Sequence, residues 1–394
     1  MKNFKEIYKR LLHPDHAIVS LVALSIIGIL VVCTFNFSFL NPVGRAIKSF
    51  TMSSIYYRIM NMSDERETSD LITLVDMTEL HHRDSIAHVV EQITEMEPRR
   101  LGVDIIFEGH KDDIMGDEAL TEAFFGCADK AVVAFKLLDY NGKEFTNAVH
   151  SFFTSDVPVT EGFTNAMTDD ARSIRRYHVS YPYHGKKVLS LPAQITKAEG
   201  LDIENLRTDH IINYKPVNFP VVGWQELSQH PELIRNRIVL LGTTKEESDK
   251  HYTPTGKMSG LEVIAYATLS MIEGYSVSEA GFFWCILLAF IVGCLTNMID
   301  TTFKSYARHR KSALMIFITA SGFYVKLIYF SIMVILTWTS FLLYVKANYY
   351  IDTLLALSVI VFTGEARLIY KGILALLKKF NFNIWRKSIY ANEI

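Results

Sequence analysis

Three aspartates stand where short apolar strands would present them for chemistry. Asp76 closes the run Leu71-Ile72-Thr73-Leu74-Val75, Asp104 interrupts Leu101 to Phe107, and Asp249 lies on the long loop after Ile238 to Leu241. Carboxylates at strand ends of an α/β sheet face the crevice in which such folds bind ligands. Together they could hold a cation or a cationic ligand. The competing role is to cap helices or brace loops, as strand-end acids commonly do. Arg83, Arg175 and Arg176 offer forked hydrogen bonds to an anion, or ion pairs with the surrounding acids. The candidate ligand-binding residues are therefore Asp76, Arg83, Asp104 and Asp249.

Ten of the 13 histidines lie between positions 81 and 251, among them the adjacent pair His81-His82. That density would suit a pH sensor, but adjacency without a recurrent short spacing is not a metal-site pattern. Structural or surface roles are expected, and no metal site is assigned. G-x-S-x-G, H-E-x-x-H, Walker and kinase signatures are absent, so neither catalysis nor a cofactor is expected.

The elements that must position these residues alternate. Leu71 to Val75 reads as a buried strand, and Ile86, Val89, Val90, Ile93 and Met96 at helical spacing give a helix closed by Pro98. Leu101 to Phe107 is the next strand, Ala119 to Cys127 a helix, and Ala131 to Leu138 a strand. Asn141-Gly142 and His184-Gly185 mark hairpin turns. Ile211 to Tyr214 and Ile238 to Leu241 are short strands, and Gly260 to Ile272 is an amphipathic helix. The expected fold is an α/β domain with a mixed sheet, over residues 41–277.

Apolar runs flank that domain. Residues 17–40 form an uncharged stretch long enough for a bilayer core, preceded by Lys2, Lys5, Lys9 and Arg10 in a cytoplasmic leader, residues 1–16. The run exceeds a signal-peptide core and lacks a small-residue cleavage site, so a retained anchor is expected. Further spans are expected at 278–300, 325–346 and 347–364. The basic loop at 301–324 with an interfacial segment and the basic amphipathic tail at 365–394 place both termini in the cytoplasm by the positive-inside rule. The domain is then extracytoplasmic and the protein a multi-pass protein of the cytoplasmic, or inner, membrane, with the lipid bilayer as its first partner. The tail pattern suits an inner-leaflet helix or a docking helix for another protein.

Composition agrees with that division. Hydrophobic residues make up 49% of the 394, and the net charge of −2 hides two opposed regions. Residues 41–277 carry 24 basic against 35 acidic side chains, a net of −11, and the remainder a net of +9. A domain of that sign repels phosphates, so nucleic acid is not an expected partner. Cys127 is the lone cysteine of the domain, since Cys33, Cys285 and Cys294 fall in apolar runs, so no disulfide within the domain is expected.

Taken in order, the segments LITLVDMTE at Leu71 to Glu79, LGVDIIF at Leu101 to Phe107, EGFTNAMTDDARSIRR at Glu161 to Arg176, INY at Ile212 to Tyr214, RIVLLGTTKEESDKHYTPTG at Arg237 to Gly256 and SGLEVIAYATLSMIEG at Ser259 to Gly274 resemble the second type of CHASE domain, an extracytoplasmic sensor module. His81-His82-Arg83 stands in place of a Trp/Pro-rich stretch, and Ile264 where many members carry His. The resemblance implies detection of an extracytoplasmic ligand or protein, and a homodimer. It also implies an output domain, for which the roughly 30 residues after the last apolar run leave no room. The expected function is a sensor whose spans signal to a separate cytoplasmic output protein. The alternative is an envelope scaffold subunit of a membrane complex.

Overall fold

A computed structural model describes residues 12–36, 57, 67–166, 168, 172–203, 208–274, 277–309 and 322–393. Residues 1–11 of the basic leader, Arg310, Lys311 and the interfacial segment that follows them lie outside the described residues, as do parts of the 161–176 motif. The chain divides into two compact units, one of residues 53–277 and one of residues 1–52 with 278–394.

In the first unit, nine strands of the described residues form one mixed sheet. They are β1 Ile72–Asp76, β2 Arg100–Val103, β3 Ala131–Tyr140, β4 Phe145–Val149, β5 Thr160–Phe163, β6 Ser180–Tyr183, β7 Lys186–Leu189, β8 Val221–Gly223 and β9 Ile238–Gly242. The order is β8-β1-β9-β2-β3-β4-β6-β7, with β5 also on β3. From β8 to β3 every pairing is parallel, whereas β3–β4 and β6–β7 are antiparallel.

Side-chain alternation explains the layers. Ile72, Leu74, Ile238 and Leu240 point to one face, where Leu191 and Ile195 of a helix Leu191–Ala198 and Leu261, Ile264 and Leu269 of a helix Gly260–Ile272 cover them. Val75, Val239, Leu241, Leu101 and Val103 point to the other, against Ile86, Val90 and Ile93 of a helix Arg83–Glu95 and Leu120 and Phe124 of a helix Ile114–Gly126. Strands buried on both faces read as continuous apolar runs, which is why the parallel core is legible in the sequence. The four helices are α2 Arg83–Glu95, α3 Ile114–Gly126, α4 Leu191–Ala198 and α5 Gly260–Ile272, after α1 Asp15–Asn36 of the other unit.

Several boundaries differ from expectation. Helix α3 begins at Ile114 because Asp113 caps it, its Oδ1 accepting the Gly116 N–H at 3.1 Å. Strand β2 stops at Val103, so Asp104 leaves the sheet instead of interrupting a strand. The Ile211 to Tyr214 strand is Asp209–Ile211, paired antiparallel with Arg176–His178. Helix α5 spans the expected residues and opens on a capping box in which Ser259 and Glu262 bond each other's backbone.

The second unit holds α1, α6 Phe282–His309, α7 Phe323–Ala347 and α8 Leu354–Lys379. Three of these contain stretches long and apolar enough to cross a membrane: Asp15–Cys33, Phe282–Lys304 and Tyr324–Ala347. Helix α1 meets α6 and α8 closely at Gly293, where a Cβ would collide with Ser20 Oγ and lie 2.7 Å from Val359 Cγ1; small residues permit such approach between apolar helices. Most of the fourth apolar run and the first half of the amphipathic tail are one continuous helix, α8. Its interior charge Arg367 is buried and paired with Asp300 of α6, so nothing breaks the helix there.

Candidate functional site

The carboxyl edge of the parallel core gathers the site. In the register Gly242 pairs with Asp76 and Leu241 with Val103, so β1, β9 and β2 end level. The Met77 N–H donates to the Gly242 carbonyl at 3.0 Å and the Asp104 N–H to the Leu241 carbonyl at 2.9 Å, which fixes how the chain leaves the sheet.

Asp76 is fully engaged. Its Oδ1 accepts the Thr78 hydroxyl at 2.6 Å and the Thr244 N–H at 3.0 Å, and its Oδ2 lies 3.0 Å from Lys245 Nζ. Burial opposes its ionisation, yet the hydrogen bonds from Thr78, Lys245 and Thr244 outweigh burial and hold its pKa at about 2. The residue is a permanent anion tying the β1 end to the loop after β9.

Asp104 is the reverse. Its carboxyl accepts no hydrogen bond from the described residues. Burial, reinforced by Asp249 and opposed by His251, pushes its pKa up to about 7. Asp104 interacts electrostatically with Tyr177, 1% exposed, whose hydroxyl finds no hydrogen-bond partner among the described residues. Burial first and Asp104 second push the Tyr177 phenol far up, so it is a fixed donor. A neutralisable, half-buried carboxyl and a buried, unengaged phenol are groups that a polar ligand could satisfy.

Asp249 does two things at once. Its Oδ2 accepts the Gly260 N–H at 3.2 Å at the start of α5, and its Oδ1 lies 3.8 Å from His251 Nε2. It therefore fills the brace role of strand-end acids while its charge still acts on Asp104. Gly242 keeps this edge narrow: a Cβ there would sit 3.0 Å from Leu261 Cδ1 and 3.5 Å from Asp104 Cβ.

Arg83 is held by a different set. It pairs with Asp117 of α3, donates to the Glu108 and Gly109 carbonyls at 3.1 and 2.8 Å, and stacks 4.6 Å from the Phe152 ring centroid. These contacts fasten the 107–117 loop. Arg176 pairs with Asp209 at 2.9 Å. Among the described residues no group of three His, Cys, Asp or Glu side chains is placed to hold a metal ion. Tyr177, Lys245 and His251 are the site neighbours that strand-end reasoning misses; only the length of the loop from Thr243 to His251 hints at the last two.

The comparisons with known proteins bear on what this edge belongs to. Neither the curated proteins nor the solved structures contain a match to the chain. A family profile, the CHASE2 domain, matches residues 29–298, which take in the whole nine-stranded sheet, its four helices, and residues 29–36 of α1 and 282–298 of α6. With more than half of its length inside that match, the chain belongs to the CHASE2 domain family of sensor domains.

Proposed function

We propose that the protein is an integral membrane sensor whose α/β domain lies outside the cytoplasm, binds a ligand or partner at the carboxyl edge of its sheet, and signals through α1 and α6 to a separate cytoplasmic output protein. The reading is non-catalytic. Asp104, Asp249 and Tyr177 form the binding edge, and Asp76 with Lys245 its rigid wall. The observation that carries it is the pairing of sensor-family membership with a half-buried Asp104 carboxyl and a buried Tyr177 phenol, the phenol without a hydrogen-bond partner among the described residues. The basic flanks support a cytoplasmic position for both termini. Sensing requires only that the ligand bind one of two states of the domain more tightly.

The full chain in nanodiscs is melted against divalent ions, organic amines, small metabolites and envelope glycans. Ligand at a hundred times its Kd stabilises by about 2.7 kcal/mol, a shift that Asp104→Asn should abolish. If no compound shifts the midpoint, or the shift survives Asp104→Asn and Tyr177→Phe alike, the carboxyl edge is not the sensing site. A reporter fused after Ile394 should be active only in the cytoplasm.

A further inference from the structure

The helical unit contains a polar layer that the apolar spans do not require. Asp300 of α6 and Arg367 of α8 are paired there with side chains 1% and 7% exposed. Tyr324 of α7 donates to Asp300 at 3.1 Å, and Arg367 Nε donates to Asn297 Oδ1 at 2.8 Å. Burying such a pair is costly, and Arg367 Nη2 has no hydrogen-bond partner among the described residues. The same layer receives Asp15 and His16 from α1, the latter with its Nδ1 3.0 Å from Asn297 Nδ2.

The 383–393 segment closes over this layer without a long helix of its own, only two short 3-10 turns, Asn383–Lys387 and Ala391–Glu393. Its place is set by the packing of Trp385, Ile389 and Tyr390 against the helices, by a Lys371–Glu393 ion pair and by side-chain hydrogen bonds. Ser388 Oγ and the Ile389 N–H donate to Asp15 Oδ2 at 2.6 and 2.8 Å, Tyr390 meets Asn297 at 3.0 Å, and the Lys387 carbonyl lies 3.0 Å from His13 Nε2. The other oxygen of Asp15 accepts the Tyr370 hydroxyl of α8 at 2.8 Å. One carboxylate on the first helix therefore holds both α8 and the segment.

Resting on the sensor reading above, we propose that residues 383–393 are a releasable strap, and that Asp15 is the positioning residue through which movement of α1 frees it. Hydrogen bonds of 2.6 and 2.8 Å are lost once the groups separate beyond about 3.5 Å, and shifts of about 1–2 Å are ordinary for signalling helices. Helix α1 precedes the sensor domain in sequence and carries Asp15 in its first turn, so a movement of α1 acts on Asp15 directly. The freed strap would offer Trp385, Ile389 and Tyr390 beside Arg386 and Lys387 to a cytoplasmic output protein.

The test needs no sensor ligand, so its failure is separate from failure of the sensing site. The full chain in nanodiscs is treated with trypsin, and mass spectrometry follows cleavage after Arg386 and Lys387. Asp15→Asn should raise that rate about tenfold, the scale of one lost charge-assisted hydrogen bond. Should Asp15→Asn not fold, Ser388→Ala removes the bond to Asp15 and the one its hydroxyl accepts from the Tyr390 N–H, leaves the Ile389 N–H bond to Asp15 in place, and should also give a rise. Gly293→Val supplies the remote arm: it pushes α1 from α6 at Ser20, touches no strap residue, and should also speed cleavage. Wild-type rates in Ser388→Ala and Asp15→Asn would overturn the strap. A wild-type rate in Gly293→Val beside a raised rate in Asp15→Asn would make the segment a static anchor and overturn its coupling to α1.

Discussion

Asp249 Oδ2 accepts the Gly260 N–H at 3.2 Å, and a Cβ on Gly260 would fall 2.9 Å from the other oxygen of the same carboxylate. The residue that acts electrostatically on Asp104 is thus also the brace of the helix that follows it. Its position is set by the absence of a side chain at 260, which links helix α5 to the state of the binding edge.

Gly260→Ala should therefore displace Asp249. We expect a loss of about 1–3 kcal/mol, the range of overpacking, together with a changed pH dependence of stability near neutrality because Asp249 no longer acts on Asp104 from the same place. Thermal melts of the variant at pH 5 and pH 8 check both effects.

Two aspartates a strand apart should give opposite pH slopes in separate windows. The Asp104 pKa is about 7 folded against 3.8 for an unperturbed Asp. The folded state then binds the extra proton, and stability falls as pH rises from about 4 to about 7. The Asp76 pKa is about 2 folded, so its contribution is present above about 4 and is lost as pH falls towards 2. Asp104→Asn should flatten only the upper window and Asp76→Asn only the lower, as read from melting temperature across pH.

Arg83 and Asp117 have side chains 3% and 5% exposed. Arg83→Met leaves a buried carboxylate without its cation, and removing one partner of such a pair costs about 3–5 kcal/mol. We expect a marked fall in melting temperature with ligand binding retained in the folded fraction. Arg83→Lys should restore only part of it, since one ammonium cannot reproduce the fork to Glu108, Gly109 and Asp117.

Tyr177→Phe tests the site without disturbing its shape. Removing a buried hydroxyl that has no partner should leave the ligand-free melt unchanged or raise it slightly. The same change should weaken the ligand by about tenfold if that hydroxyl donates to it. Isothermal titration of the variant against whichever compound shifts the wild-type melt measures this directly.

The parallel core was readable because its strands are buried on both faces: Ile72 to Val75 and Ile238 to Leu241 admit no polar side chain except Thr73. Helix α5 was readable to the residue because Ser259 and Glu262 form its capping box. The antiparallel half was only partly readable, since β6 and β7 are short and half-exposed and announce themselves mainly through the His184-Gly185 turn. Asp76 closes its strand as expected and Asp104, expected inside its strand, follows it, but identical residue type hid opposite electrostatics, which depend on Thr78, Thr244 and Lys245 bonding to one and no donor among the described residues bonding to the other. Tyr177 carries no local signal at all; it reaches the edge from a strand more than 70 residues beyond Asp104. The fusion of the fourth apolar run with the tail was hidden for a related reason, because Glu365, Arg367 and Lys371 look like an exit to water until Asp300 is placed beside Arg367.

Helix α8 runs unbroken from Leu354 to Lys379, 26 residues without proline, a rod about 39 Å long. A rod has no joint at which motion can dissipate: a tilt or a slide imposed at its first turn arrives at its last with the same magnitude. Conversely, a load applied at Lys379 is felt at Leu354, so whatever engages the C-terminal end of this helix retunes how readily its N-terminal end moves.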